Sequence, residues 1–163
     1  MSVSPAGVWS TCLSEAEDLF ANSSDFQTWV SENDAASAKD HIYLVGVSKP
    51  GITRPYIRIS QGEWQADRVA GGARGHYDYS GSFIVKFEAS ITAAYVSGFE
   101  DAEFEFTNPV GNIIQDVLNL AGSDGYLPLS GFRKLEGPSH TSERNDGSLG
   151  NLYKSKFEFF WTH

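Results

Sequence analysis

The sequence predicts an α+β domain in which helices cover one face of a mostly antiparallel sheet. Three observations carry that prediction. Helical spacing dominates the first forty residues, period-2 alternation takes over at Ile42 and returns in two long runs, and a further apolar helix stands between those runs. Strands and helices that are grouped, rather than strictly alternating, favour an antiparallel sheet with its helices segregated. At 163 residues the chain has the size of one domain, enough to hold a core without staples.

The first helix runs from about Gly7 to Ala21, because Trp9, Cys12, Leu13, Ala16, Leu19 and Phe20 recur on one stripe. Residues 1–6 read as an N-terminal tail. Asn22-Ser23-Ser24 ends the helix, and Ser24 with Gln27 forms a capping box for a short helix that buries Phe26, Trp29 and Val30. Ala35 to Lys39 adds another turn. Ile42–Val47 is the first strand, closed by Lys49-Pro50-Gly51. After Arg54-Pro55, Tyr56–Ile59 alternates, with Tyr56, Arg58 and Ser60 on one face and Ile57 and Ile59 on the other. From Gln61 to Ser82 no period is clean. Gly62, Gly71, Gly72, Gly75 and Gly81 separate Trp64, Tyr77 and Tyr79, which reads as a long functional loop or as a hairpin turning at Gly71-Gly72.

Ser82–Thr92 is the clearest strand, with Phe83, Val85, Phe87, Ala89 and Ile91 on the face to be buried. Phe99–Phe106, acidic and rich in Phe, fits neither period. The next helix is signposted by Asn108 as N-cap and Pro109 at the first helical position. Val110, Ile113, Ile114, Val117, Leu118 and Ala121 form its apolar stripe, and Gly122 ends it. Tyr126–Leu135 is extended but interrupted by Pro128 and Gly131, and Gly137–Gly150 reads as a polar, mobile loop. Leu152–Trp161 is a closing aromatic strand that puts Tyr153, Ser155, Phe157, Phe159 and Trp161 on one face.

The residue types that carry chemistry are thinly supplied. Cys12 is the only cysteine, so neither an intramolecular disulfide nor a cysteine-rich zinc site is available, and its place on the helical stripe makes it a small buried hydrophobe. His41, His76, His140 and His163 show no i, i+4 pair of a helical metal site. Gly71-Gly72-Ala73-Arg74-Gly75 lacks the Gly-Lys-Ser/Thr that a phosphate loop needs. No serine sits in a Gly-x-Ser-x-Gly elbow. Glu100, Asp101, Glu103 and Glu105 lack the order of a calcium loop and read as a solvated acidic edge. The expectation is a protein with no cofactor and no catalytic apparatus.

Formal net charge is −9, which argues against a general nucleic-acid binder. The opening Met1-Ser2-Val3-Ser4-Pro5-Ala6 has neither the basic nor the apolar part of a signal peptide, and no run is apolar enough to cross a bilayer; a reducing cytosol is the expected place of synthesis. The charge is unevenly spread: residues 1–40 hold seven acids and one base, whereas Lys49, Arg54, Arg58, Arg68 and Arg74 crowd into the segment that follows. Opposite-sign patches of this kind suit contacts between neighbouring copies. Aromatic and arginine side chains dominate interface hot spots. The candidates for subunit contact are therefore Arg54, Arg58, Trp64, Arg68, Arg74, Tyr77, Tyr79, Phe160 and Trp161. Stacking of bases or of a small ligand on Trp64, Tyr77 and Tyr79 is the alternative use of the same residues.

One further pattern spans most of residues 8–161. Asp25-Phe26-Gln27-Thr28-Trp29-Val30 and Ala35-Ala36 precede His41-Ile42-Tyr43; Arg54-Pro55 opens a strand; Phe83–Ile91 is a long strand followed by the helix Pro109–Ala121; and Arg144-Asn145-Asp146-Gly147-Ser148 leads into the aromatic strand. In this order of elements the chain resembles the tail terminators and related neck proteins of long-tailed bacteriophages. The resemblance implies a homo-oligomeric ring, most often a hexamer, at the head-proximal end of the tail. Its partners would be the tail tube protein and the head–tail connector, with DNA only passing through the lumen, and no membrane or cofactor is implied. A tail-tube or connector subunit shares a related design, and Gln61–Ser82 departs from the smaller members of the family.

Overall fold

A computed structural model describes residues 7–44, 53–69, 76–91, 99–122, 134–141 and 152–162. The chain forms α1 (Gly7–Ala21), α2 (Ser24–Trp29), α3 (Ala35–Ala38) and a 3-10 turn (Lys39–His41). These are followed by β1 (Ile42–Tyr43), β2 (Tyr56–Val69), β3 (His76–Ser90), α4 (Phe99–Ala121), β4 (Lys134–Thr141) and β5 (Leu152–Thr162). The strands make one five-stranded sheet in the order β1-β2-β3-β5-β4. Only β1 and β2 run parallel; every other neighbour is antiparallel. The architecture is the expected one: a single α+β domain with a mostly antiparallel sheet.

Register fixes the two faces. Ile57 pairs with Phe87 and Phe87 with Ser155, while Ile59 pairs with Val85 and Val85 with Phe157. Directly opposed residues share a face, so these side chains, apolar except for Ser155, form one wall. The helices close on it. Phe20 of α1 meets Phe87 and Phe159 edge-on, Trp29 meets Phe87, and Phe106 of α4 lies against Tyr153. Cys12, Ala16, Leu19 and Phe20 of α1 and Val110, Ile113, Val117 and Ala121 of α4 are buried in the same cluster.

α1 has the bounds read from the sequence. α2 is capped one residue earlier than its capping box suggests: Ser23 accepts from the Phe26 N–H at 3.2 Å, and the Gln27 amide donates to Ala21 O instead of turning back to the cap. The Ser23 hydroxyl also donates to the Asp116 carboxylate on α4, which ties the α2 N-terminus to the second helical layer. Asp34 caps α3 by accepting from the Ser37 N–H at 2.8 Å.

Three readings need correction. Gln61–Ser82 is not an irregular loop: β2 and β3 pair in register out to Val69 and His76, with a bulge where Gly62 and Glu63 face Ser82. One extra residue at a bulge shifts the alternation by one, and that hid the strand. The hairpin alternative is the one that forms, and Gly71-Gly72, where its turn is expected, lies outside the described residues. The second correction concerns α4, which begins at Phe99 and runs through Pro109. Phe106 and Val110, buried on either side of the proline, hold it in place. Third, Gly137–Thr141 belongs to β4, where a bulge between Glu136 and Ser139 accommodates Gly137 at φ +113° and Pro138. β4 is an edge strand, the place where a sheet tolerates proline. Residues 45–52, with Lys49-Pro50-Gly51, and residues 123–133 and 142–150 lie outside the description.

Candidate functional site

Along β2, burial on the helix-facing side stops at the bulge. Ile57, Ile59, Phe83 and Val85 are sealed, but Trp64 is 42% and Tyr77 50% exposed, and Arg68 is exposed as well. Trp64 pairs with Gly81, Ala66 with Tyr79 and Arg68 with Tyr77, so all these positions share one face of the hairpin. Trp9 of α1 stacks on Trp64 with ring centroids 5.6 Å apart, and Trp64 stacks on Tyr79 at 6.2 Å. The sequence put Trp9 on the buried stripe of α1. It is instead 42% exposed and joins this aromatic ladder, anchored by the Gln61 amide donating to its carbonyl at 2.9 Å.

Gly81 is what lets the ladder form. A Cβ there would lie 2.7 Å from Trp161 Cζ2 and 2.8 Å from Trp64 Cβ, closer than real side chains approach.

The same end of the sheet holds a groove of about 310 Å³ whose lining includes Trp64, Gly81 and Trp161 as well as Glu63, Ser82, Glu136, Glu158 and Phe160. Ser82 donates to Glu158 at 2.7 Å, which fixes that carboxylate against the wall, and Phe160 is 44% exposed. The residues lining the groove include three glutamates and neither lysine nor arginine. Among the described residues no group of three His, Cys, Asp or Glu gathers as a metal site requires.

Farther along the strands, on the face that carries Ser82 and Phe160, lies a buried polar cluster. Glu88 is only 1% exposed, accepts from the Tyr56 hydroxyl, and accepts from Arg58 Nη2 at 2.7 Å; Lys154 Nζ stands 3.8 Å away. Burial would raise the Glu88 carboxyl, but the hydrogen bonds from Tyr56 and Arg58 and the charges of Lys154 and Arg58 outweigh it and hold it below its usual value. Burial, then the bond to Glu88, pushes the Tyr56 phenol up to about 12. Tyr43 packs edge-on against Tyr56.

The sequence-derived contact residues therefore divide. Trp64, Arg68, Tyr77 and Tyr79 converge on the hairpin, and Phe160 is exposed on the groove. Arg54 lies over the Tyr56 ring at 6.0 Å, apart from both. Arg58, 6% exposed and paired with Glu88, and Trp161, 2% exposed and packed against the core, are internal; they are not available to a neighbour. Arg74 lies outside the described residues. Trp9, Glu63, Glu136 and Glu158 were missed. Trp9 carried a core signal in its helical spacing, and the three glutamates lie in separate stretches that only strand register brings together.

His41 is held by its surroundings: Nδ1 lies 3.1 Å from Pro55 O and Nε2 3.2 Å from Glu32 Oε1. His76 and His140 are paired strand positions, opposite Val69 and Phe157. No helix among the described residues is long and apolar enough to cross a membrane. No protein-family model matches the chain, and no curated protein matches it significantly.

Proposed function

We propose that the chain is a structural subunit that closes into a ring, of the kind that caps a phage tail tube and joins it to the head connector. One observation carries the reading. The β2–β3 hairpin continues past the end of the buried core and presents Trp64, Tyr77 and Arg68 to solvent as one surface. Exposed aromatic and arginine side chains on a paired strand ladder have the composition of interface hot spots. A hairpin with both strands in register is a stiff mount for such a surface, and stiffness lowers the entropic cost of docking. The acidic balance of the chain, net −9, suits a lumen through which DNA passes without adhering. The element order described above supplies the specific assembly; the reading assigns no reaction.

Sedimentation of the purified protein together with negative-stain images tests it. The expected result is a closed ring of about six copies that dissociates when Trp64 and Tyr77 are both changed to alanine. A protein that stays as single copies at high concentration and ignores tail tubes overturns the reading. Labelling on virions separates a terminator, present as one ring at the neck, from a tube subunit repeated along the tail.

A further inference from the structure

The groove at the hairpin end of the sheet is a built cavity whose acids the ring reading leaves unused. Its volume of about 310 Å³ lies at the small end of the range of ligand pockets, roughly 300–1,000 Å³. A bulge flanks it on either side. Ser82 pairs with Phe160 and Phe160 with Glu136, while the register shifts between Gln61 and Trp64 on β2 and between Glu136 and Ser139 on β4. A bulge re-aims the side chains beside it, which is why bulges recur next to functional sites. Here the two bulges bring Glu63 and Glu136 to one groove. Gly62 serves the third carboxylate: a Cβ there would collide with the Ser82 hydroxyl, which is buried and donates to Glu158 at 2.7 Å.

The lining selects a class of ligand. Ionised Glu63, Glu136 and Glu158 accept hydrogen bonds and donate none, and Gln65, Ser80 and Thr162 add further acceptors. A carboxylate has several lone pairs, so the bond from Ser82 leaves Glu158 able to accept more. Lys134 stands in register opposite Thr162 on the edge strand, and the three carboxylates outweigh it. That balance repels anions. Among the described residues the carboxylates do not gather as a metal ion requires, so positive charge spread along a chain matches them better than one compact ion. Phe160, 44% exposed, and Trp64, 42% exposed, supply ring faces on which a guanidinium or ammonium group and the methylenes behind it can lie.

We propose that this groove binds a small aliphatic cation with a guanidinium or ammonium group at each end of a methylene chain. The site lies within one copy and does not depend on the ring. Calorimetric titration with agmatine tests it, with 1,4-butanediol as the uncharged counterpart and magnesium chloride as the compact cation. Agmatine is expected to bind saturably, one per chain, and the diol not at all. Glu63→Gln and Glu136→Gln both fall on exposed residues, and circular dichroism checks that each keeps the fold. Each is expected to weaken agmatine by about tenfold, the loss of one charge-assisted hydrogen bond. Phe160→Leu is expected to weaken it by about threefold. Asp40→Asn, an exposed acid outside the groove, is expected to leave it unchanged. The proposal fails if agmatine shows no saturable binding, if magnesium binds as tightly, or if the groove variants lose no more than Asp40→Asn does, since the attraction is then that of an acidic protein at large. A chain that binds agmatine but forms no ring keeps this site while the ring reading falls.

Discussion

Glu88 occupies the side of the sheet away from the helices, yet it is sealed to 1% exposure with Tyr56 and Arg58 around it. A buried ion pair is costly to break from one side, because the survivor stays desolvated. Glu88→Gln, which leaves the Arg58 guanidinium without its counter-charge, is expected to lower stability by about 3–5 kcal/mol at neutral pH. The linkage sign follows from the two shifts. Glu88 is held below its ordinary value when folded, so its contribution is complete above the ordinary carboxylate range and is lost as pH falls through the folded value. Tyr56 is pushed up to about 12, so its contribution is complete below the ordinary tyrosine value of about 10 and is lost as pH rises toward 12. Glu17 opposes the acid limb, since burial raises it more than Lys39 lowers it. Urea midpoints measured across pH should show both limbs in the wild type and a flattened acid limb in Glu88→Gln. Cys12 supplies a simpler check. Burial, then the charge of Glu15, raises its thiol to about 12, and only the thiolate reacts. A disulfide reagent at pH 8 should leave the folded protein untouched and modify one thiol at once in denaturant.

At the scale of elements, α4 shows where local rules lose. Asn108-Pro109-Val110 has the cap, the proline and the first apolar residue of a helix start, yet the helix is already more than two turns long at that point. An interior proline removes one bond of the ladder and costs about 3 kcal/mol, a loss that the buried Phe106, Val110 and Ile113 offset. The same helix carries Gly111, and a Cβ placed there meets nothing within 4 Å. Gly111→Ala is therefore expected to stabilise the protein by about 0.5–1 kcal/mol, read as a higher urea midpoint at unchanged slope. Uninterrupted elements were legible from period alone: the bounds of α1 and its stripe apart from Trp9, the alternation of Phe83–Ala89 and the aromatic face of β5 stand as read. The elements that were misjudged contain a bulge or a proline. The Gly62-Glu63 bulge displaces the alternation of β2, and Gly137-Pro138 makes an edge strand look like a loop. Both devices depend on a partner strand that a linear pattern does not contain.

At the scale of the molecule, the candidate site was legible by residue type and illegible by placement. Trp64, Arg68 and Tyr77 stand out in sequence because large aromatic and arginine side chains flank glycines, and the structure brings them together. Arg58 and Trp161 have the same character, but cross-strand pairing seals them inside. The acids of the groove come from β2, β4 and β5, and no spacing rule connects residues 63, 136 and 158. The order β1-β2-β3-β5-β4 has a consequence for synthesis. β5 lies between β3 and β4, both translated earlier, and it supplies Tyr153, Phe159 and Trp161 to the interior. Until Leu152–Thr162 is made, β3 lacks its neighbour on that edge and Phe83 lacks the stacked ring of Phe159, although Phe20 and Trp29 from the earlier helices can already reach Phe87. A chain truncated before Leu152 is therefore expected to aggregate, which its soluble yield beside that of the longer chain checks.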